Sequence, residues 1–245
     1  EAEQIGHGGS GRNAGMVNPG IWLPPADVRK ALGPDYGPRF IDWFGNGPQM
    51  VFDLIEKFQI RCEATRNGSI HAAHAPSGVK ELEARWKEWD ALGCPVELLS
   101  RGQVSEMIGT RAFHGGLLDQ RAGSINPMGY CRGLARAAIA AGAQINTGVR
   151  VTGLRKDDAG WLVETSKGEV RAKAVVLGTN AYTDELWPGL AKTYTPIHYF
   201  QLATEPLGEK AAHILPGRQP IWTTGQIMFS LRKDAFDRII VGSMG

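Results

Sequence analysis

The stretch from residue 144 to 182, "QINTGVRVTGLRKDDAGWLVETSKGEVRAKAVVLGTNAY", is the most regular part of the chain. It reads as strand, turn, strand, turn, strand, with "DDAG" and "SKGE" as the turns. The last strand carries a continuous apolar run at 174–177, as expected of a strand buried on both faces. That run ends in a Gly-Thr-Asn turn at 178–180 that leads into a helix. Open α/β sheets bind their ligands outside the carboxyl ends of strands. The segment therefore predicts an α/β fold and makes 178–180 a ligand-binding turn.

The flanking sequence supplies helices and a second kind of sheet. Pro127 opens the helix "MGYCRGLARAAIAAGA", which Gly142 ends, and its small residues suit tight packing on a sheet. Helical character between 40 and 60 rests on Phe52, Ile55 and Phe58, with Gly45, Gly47 and Pro48 breaking its early part. Residues 62–74 read as a strand pair turning at Asn67-Gly68. Val79, Leu82, Trp86 and Trp89 form one helical stripe that Gly93 stops; its tryptophans read as core. Ser100 and Gln103 have the spacing of a capping box. The stretch 113–127, "FHGGLLDQRAGSINP", reads as an irregular crossing between domains. From Thr193 onward the pattern is antiparallel strands, the last two forming a hairpin across "KDAFD". The class is thus α/β, turning α+β in the second part.

Composition narrows the function. With 27 Lys plus Arg against 25 Asp plus Glu, the 245 residues carry a net charge of +2. No basic run stands out, which argues against nucleic acid as a partner. Cys62, Cys94 and Cys131 are far apart and form no CxxC pair, so neither a disulfide framework nor a metal site is expected. Three reduced thiols suit the cytoplasm. No apolar run approaches the ~18 residues of a membrane span, and no signal peptide is visible.

Near the N-terminus, "GHGGSGRNAG" (6–15) has five glycines among ten residues. Glycine lets backbone N–H groups approach a ligand closely, and Ser10, Arg12 and Asn13 add donors suited to a pyrophosphate. The loop is neither GxGxxG nor a P-loop. Alone it reads equally as an anion cradle or a structural turn. Glu1 precedes it. A carboxylate followed by a Gly-rich loop is the layout of a dinucleotide site, where the carboxylate bonds a ribose; the other reading of Glu1 is a solvated terminal charge. His7 is a candidate for proton chemistry or a loop imidazole facing solvent.

At this point the residues carry a resemblance. "EAEQIGHGGSGRNAG" resembles the segment after the second strand of FAD-dependent oxidoreductases in the D-amino acid oxidase superfamily. The nearest branch is γ-glutamylputrescine oxidase-like and glycine/sarcosine oxidase-like, which reads "LEA…IG.GASGRNGG". "INPMGYCRGLARAAIAAGAQINTGVRVTGL", "EVRAKAVVLGTNAYTDEL", "TPIHYFQLATEPL" and "DRIIVGSMG" resemble later family segments in the same order, so the likeness covers essentially the whole chain. It implies an FAD-binding Rossmann-like domain at 1–40 and 125–190, and an antiparallel-sheet substrate domain at 41–124 and 191–245. Family members carry a strand and GxGxxG helix before the position of Glu1 and continue beyond "GSMG". The resemblance thus implies an internal portion of a longer enzyme.

The resemblance also implies roles. Glu1 would bond the adenosine ribose. Ser10, Gly11, Arg12 and Asn13 would line the pyrophosphate and the near side of the flavin, with Gly15 allowing close backbone approach. Val151 would present its backbone to the adenine edge, and Gly178, Thr179 and Asn180 would approach the adenosine diphosphate. The implied activity is oxidation of the CH–NH or CH–NH2 bond of a small-molecule amine or amino acid, with oxygen or another electron acceptor. The flavin carries that chemistry, so no catalytic residue is named. His198 and Phe229 would roof the flavin or pack in the core. Arg232 would meet an acidic substrate group or lie on the surface. Sarcosine oxidases have a substrate-gripping arginine where this chain has Gly15, which argues against a carboxylate clamp at that spot. The alternatives are a nucleotide-binding module without turnover and a fragment that cannot hold FAD.

Overall fold

Proline and glycine set the helix limits. The computed structural model describes residues 1–244. Its elements, in chain order, begin with a single helical turn α1 (Gly9–Arg12) and the short strand β1 (Met16–Val17). Helices α2 (Pro25–Gly45) and α3 (Gly47–Lys57) follow, then β2 (Ser69–Ala72), α4 (Pro76–Asp90), β3 (Val96–Leu99), α5 (Arg101–Ile108), β4 (Gly116–Asp119) and β5 (Gly123–Ser124). The second half holds α6 (Pro127–Ala140), β6 (Val151–Asp157), β7 (Gly160–Thr165), β8 (Gly168–Ala172), β9 (Tyr199–Ala203), β10 (Ile221–Thr223), β11 (Phe229–Lys233) and β12 (Ile239–Met244). A proline sits in the first turn of α2, α3, α4 and α6, where its missing N–H costs nothing. Ser100 and Gln103 cap α5 reciprocally, and Gly109 ends it in the left-handed conformation, as the spacing predicts.

Strands form two main sheets. One is an antiparallel meander, β6-β7-β8. The other has seven strands in the order β3-β4-β2-β10-β11-β12-β9, antiparallel except where β10 runs parallel to β2. Its core joins Ile70 and Ile221 on those central strands to Val104 and Ile108 of α5 and to Leu215. Each such side chain contributes about 1.5–3 kcal/mol on burial. The predicted stripe on α4 is core as well. Leu82 and Trp89 are buried, with Val79 and Trp86 packed beside Leu82. The hairpin across "KDAFD" is β11–β12.

The structure corrects several expectations. There is no hairpin at Asn67-Gly68. Gly68, at φ +88°, turns the chain into β2, whose neighbours are the distant β4 and β10. The residues before the turn make only one bridge, Thr65 to Ser124. The stretch 113–127 holds β4 and β5 rather than an irregular crossing. Its glycines concealed strands whose hydrogen bonds come from other parts of the chain. The apolar run 174–177 is not a strand. Strand β8 stops at Ala172, no described strand pairs with the run, and Val176 is 93% exposed. An apolar run becomes a strand only where a neighbour satisfies its backbone. Finally, α2 starts well before residue 40. Gly33 at φ +74° with Pro34 and Pro38 interrupts it and hides its helical character. Its buried Val28 and Ile41 pack with Trp89 of α4.

Candidate functional site

The Gly-rich loop borders an open cleft of about 2000 Å3 between the meander, the 175–182 turn and the seven-stranded sheet. The loop is built as a set of free donors. The amides of Gly8, Gly9 and Ser10 have no acceptor among the described residues, whereas the Gly11 N–H is taken by the Gly8 carbonyl at 3.1 Å. The first amides of a helical turn always lack intrahelical partners. Gly6 and Gly11 are glycines of necessity: Gly6 sits at φ +81°, and a Cβ on Gly11 meets the Gly6 carbonyl oxygen at 2.2 Å; Met128 lies against Gly6. Next to Gly9 there is nothing within 4 Å, so this side is open.

Asn13 closes the loop on itself. Its Nδ2 donates to the carbonyls of Gly9 and Ser10 at 3.0 and 3.1 Å, and its Oδ1 accepts the Gly15 N–H at 2.8 Å. The side chain is thus spent on loop shape, leaving Ser10 and Arg12 as its free donors. Gly15 does not border the cleft. It lies beneath the loop at φ +73°, and its carbonyl accepts the Ile125 N–H.

The other candidates gather around this loop. Glu1 lines the cleft, its carboxylate caps the Glu3 N–H at 3.0 Å, and its carbonyl accepts from Val149. Val151 also lines it, next to an irregularity in the β6–β7 pairing between Val151 and Gly153 that frees backbone groups. Gly178, Thr179 and Asn180 line the same cleft, with Asn180 at φ +46° and the Thr179 and Thr183 hydroxyls 2.6 Å apart. His198 is exposed on the cleft wall just before β9.

Side-chain alternation sorts the late strand. Ser230 and Arg232 of β11 face the cleft, while Phe229 and Leu231 pack against the core. Phe229 sits 6.3 Å from the Phe113 ring, away from the cleft. Arg232 is only 8% exposed, so it is not a surface arginine. Its Nε donates to the Ala14 carbonyl at 2.8 Å, and burial pushes its pKa down. Three further contributors were not singled out from the sequence. Met128 underlies the loop, Tyr182 packs over Gly8, and Trp222 joins the cleft wall while stacking on buried His71 at 3.5 Å. The period-2 pattern of β11 was the available signal for the two faces.

Comparison with known proteins decides the family. The model of the family described as "DAO: FAD dependent oxidoreductase" matches residues 1–245. The chain belongs to this family. Among its relatives, gamma-glutamylputrescine oxidoreductase of Escherichia coli is 28% identical over 245 residues, 99% of this chain and 57% of that protein. Glycine oxidase of Geobacillus kaustophilus is 26% identical over 155 residues, 61% of this chain and 41% of that protein. The crystal structure of that glycine oxidase covers 100% of this chain and 64% of its own, with a TM-score of 0.76 at 19% identity. The α/β fold of this DAO-family chain is therefore that of the FAD-binding glycine oxidases. The chain spans 57% of the length of the first of these relatives.

The residues present fit the cofactor of the DAO family. Free amides, a serine hydroxyl and a guanidinium converge beside open space, and glycines keep Cβ atoms out of the loop. This is the donor set a pyrophosphate requires.

Proposed function

We propose that the protein is a flavin-dependent oxidoreductase that oxidises the C–H bond beside the nitrogen of a small amine or amino acid. The observation that carries the proposal is the row of unpartnered amides at Gly8, Gly9 and Ser10, set at the mouth of a cleft that the other candidates share. Gly8 to Ser10 and Arg12 hold the pyrophosphate, Glu1 the ribose, the Val151 backbone the adenine edge, and Gly178, Thr179 and Asn180 the adenosine diphosphate. Asn13 and Gly15 serve the same site by fixing the loop. FAD, when bound, supplies the hydride acceptor at N5. The chain's own task is to hold the amine against it and to keep water away. Trp222, Ile240 and Ala203 give the large sheet an apolar cleft face for that purpose.

The packing supports a division of labour. Residues 1–24 and 125–190 form the cofactor side, and the seven-stranded sheet with α2–α5 forms the substrate side. Helix α2 goes to the substrate side because it packs on α4. Oxygen or another electron acceptor takes the electrons. The three unpaired cysteines suit the cytoplasm, and no helix among the described residues is long and apolar enough to cross a membrane.

The test is spectroscopic. The intact protein, purified with FAD, is expected to show flavin absorption in the visible, and an amine substrate should bleach it anaerobically. A protein that stays colourless after FAD addition, or a flavin that no amine or amino acid reduces, overturns the proposal.

A further inference from the structure

One level of the large sheet presents a polar row to the cleft. Trp222 of β10 lies opposite Ser230 of β11, Ser230 opposite Gly242 of β12, and Gly242 opposite Gln201 of β9. Residues opposite one another across a sheet share a face, and Trp222, Ser230 and Gln201 all line the cleft. The Gln201 carboxamide lies over Gly242: a Cβ there would fall within 2.7 Å of its carbon, nitrogen and oxygen. The glycine thus leaves the amide a seat one strand away from Ser230. That amide is unspent. Its Oε1 is buried without a partner, and its Nε2 donates to no acceptor among the described residues. The Ser230 hydroxyl, facing the cleft, has no partner among them either. Trp222 closes the row. It stacks on buried His71 at 3.5 Å, and the buried Arg85 guanidinium lies 5.7 Å from its ring. A buried acceptor left unmet is costly, and the cost is relieved when a matching donor arrives.

We propose that Gln201 and Ser230 form a recognition site for an uncharged amide group of the substrate, with Trp222 as its apolar side wall. The proposal rests on the flavin-dependent reading above and names a substrate class: amines that carry an amide away from the carbon that is oxidised. A carboxamide has both a carbonyl acceptor and N–H donors. Facing Gln201, it returns both bonds, N–H to Oε1 and carbonyl to Nε2, and Ser230 adds a third. A carboxylate has acceptors only and would set its charge against Oε1. The row from Trp222 to Gln201 carries no ionisable side chain. It is also offset from the cofactor loop. Arg232 anchors that loop at Ala14, and Ser230 lies two residues, about 7 Å, farther along β11. The pyrimidine edge of a flavin has the same amide chemistry, and this offset favours the substrate as occupant. Gln201 and Ser230 are then specificity residues.

The test titrates hexanamide into the intact protein by calorimetry, with and without FAD, beside 2-heptanone and hexanoate. The ketone replaces the amide NH2 by a methyl group, and the acid replaces it by a charged oxygen. Hexanamide is expected to bind about tenfold more tightly than either. Gln201→Leu should weaken hexanamide on the order of 30-fold and leave 2-heptanone within about twofold, and Ser230→Ala should cost hexanamide about fivefold. Gly242→Ala, which pushes the amide off its seat and keeps Gln201, should act like Gln201→Leu. Equal binding of hexanamide and 2-heptanone, or hexanamide affinity unchanged in all the variants, overturns the proposal. So does loss of hexanamide binding on addition of FAD, which gives the row to the flavin. Should one variant not fold, the others and the ligand pair in the parent protein decide. Failure of the functional reading looks different: no FAD is retained, while hexanamide binding still depends on Gln201.

Discussion

The ring of Tyr182 occupies the place where a side chain on Gly8 would go. A Cβ built on Gly8 lies 2.7 and 2.9 Å from two ring carbons of Tyr182. The "GTNAY" turn and the Gly-rich loop are thus in direct contact, and one fixes the other at the cleft mouth. Gly8 itself has φ −87°, which any residue adopts. The demand for glycine here comes from the neighbour and not from the backbone.

Gly8→Ala should therefore leave the fold intact, because Tyr182 is 63% exposed and free to move aside. The displaced ring shifts the loop, and FAD affinity should fall on the order of tenfold. Adding Tyr182→Ala should restore most of it, a coupling visible in a double-mutant cycle. Equal FAD affinity in Gly8→Ala and the parent protein, by flavin fluorescence titration, refutes the link.

Gly15 tests the opposite case. It sits at φ +73°, and a Cβ there lies 2.2 Å from the Ile125 carbonyl oxygen, a backbone atom that cannot rotate away. Gly15→Ala should lower unfolding free energy by about 2–4 kcal/mol, combining left-handed strain with the clash. Urea unfolding measures it.

The pH dependence of stability carries a third prediction. Burial, and then the charge of Arg85, push the His71 pKa down to about 3. An unfolded histidine titrates near 6.5. Between these values the unfolded state holds a proton that the folded state does not, so stability falls as pH drops below about 6.5. From pH 7 to pH 5 the contribution of His71 should decline by about 2 kcal/mol. His71→Phe, which keeps a ring against Trp222, should flatten this slope in urea titrations at the two pH values. Parallel slopes in both proteins would count against the assignment.

The parts of the molecule that rest on local chemistry were legible in the sequence. The α4 stripe, the Ser100–Gln103 cap, the Pro127 helix start and the β11–β12 hairpin each depend on residues within one or two turns of each other. What escaped depends on distant partners. Strand β2 exists because β4 and β10 flank it, and 174–177 lacks such flanks. The cofactor loop was visible from its glycines, but its anchors were not. Nothing near Arg232 in the chain signals that it will bond Ala14, 218 positions away. Phe229 and Arg232 looked alike as strand residues, and only their opposite parity on β11 separates core from cleft.

The parallel pairing of β2 with β10 has a consequence for how the chain is made. Its ends are tied by the His74–Thr224 bond across 150 positions. Ribosomes add about 5–20 residues each second. The buried strand carrying Ile70 therefore leaves the ribosome roughly 8–30 seconds before its partner exists. Through that interval one edge of β2 offers bare backbone groups to any passing strand. Until β10 emerges, that edge is a place where the nascent chain is open to mispairing.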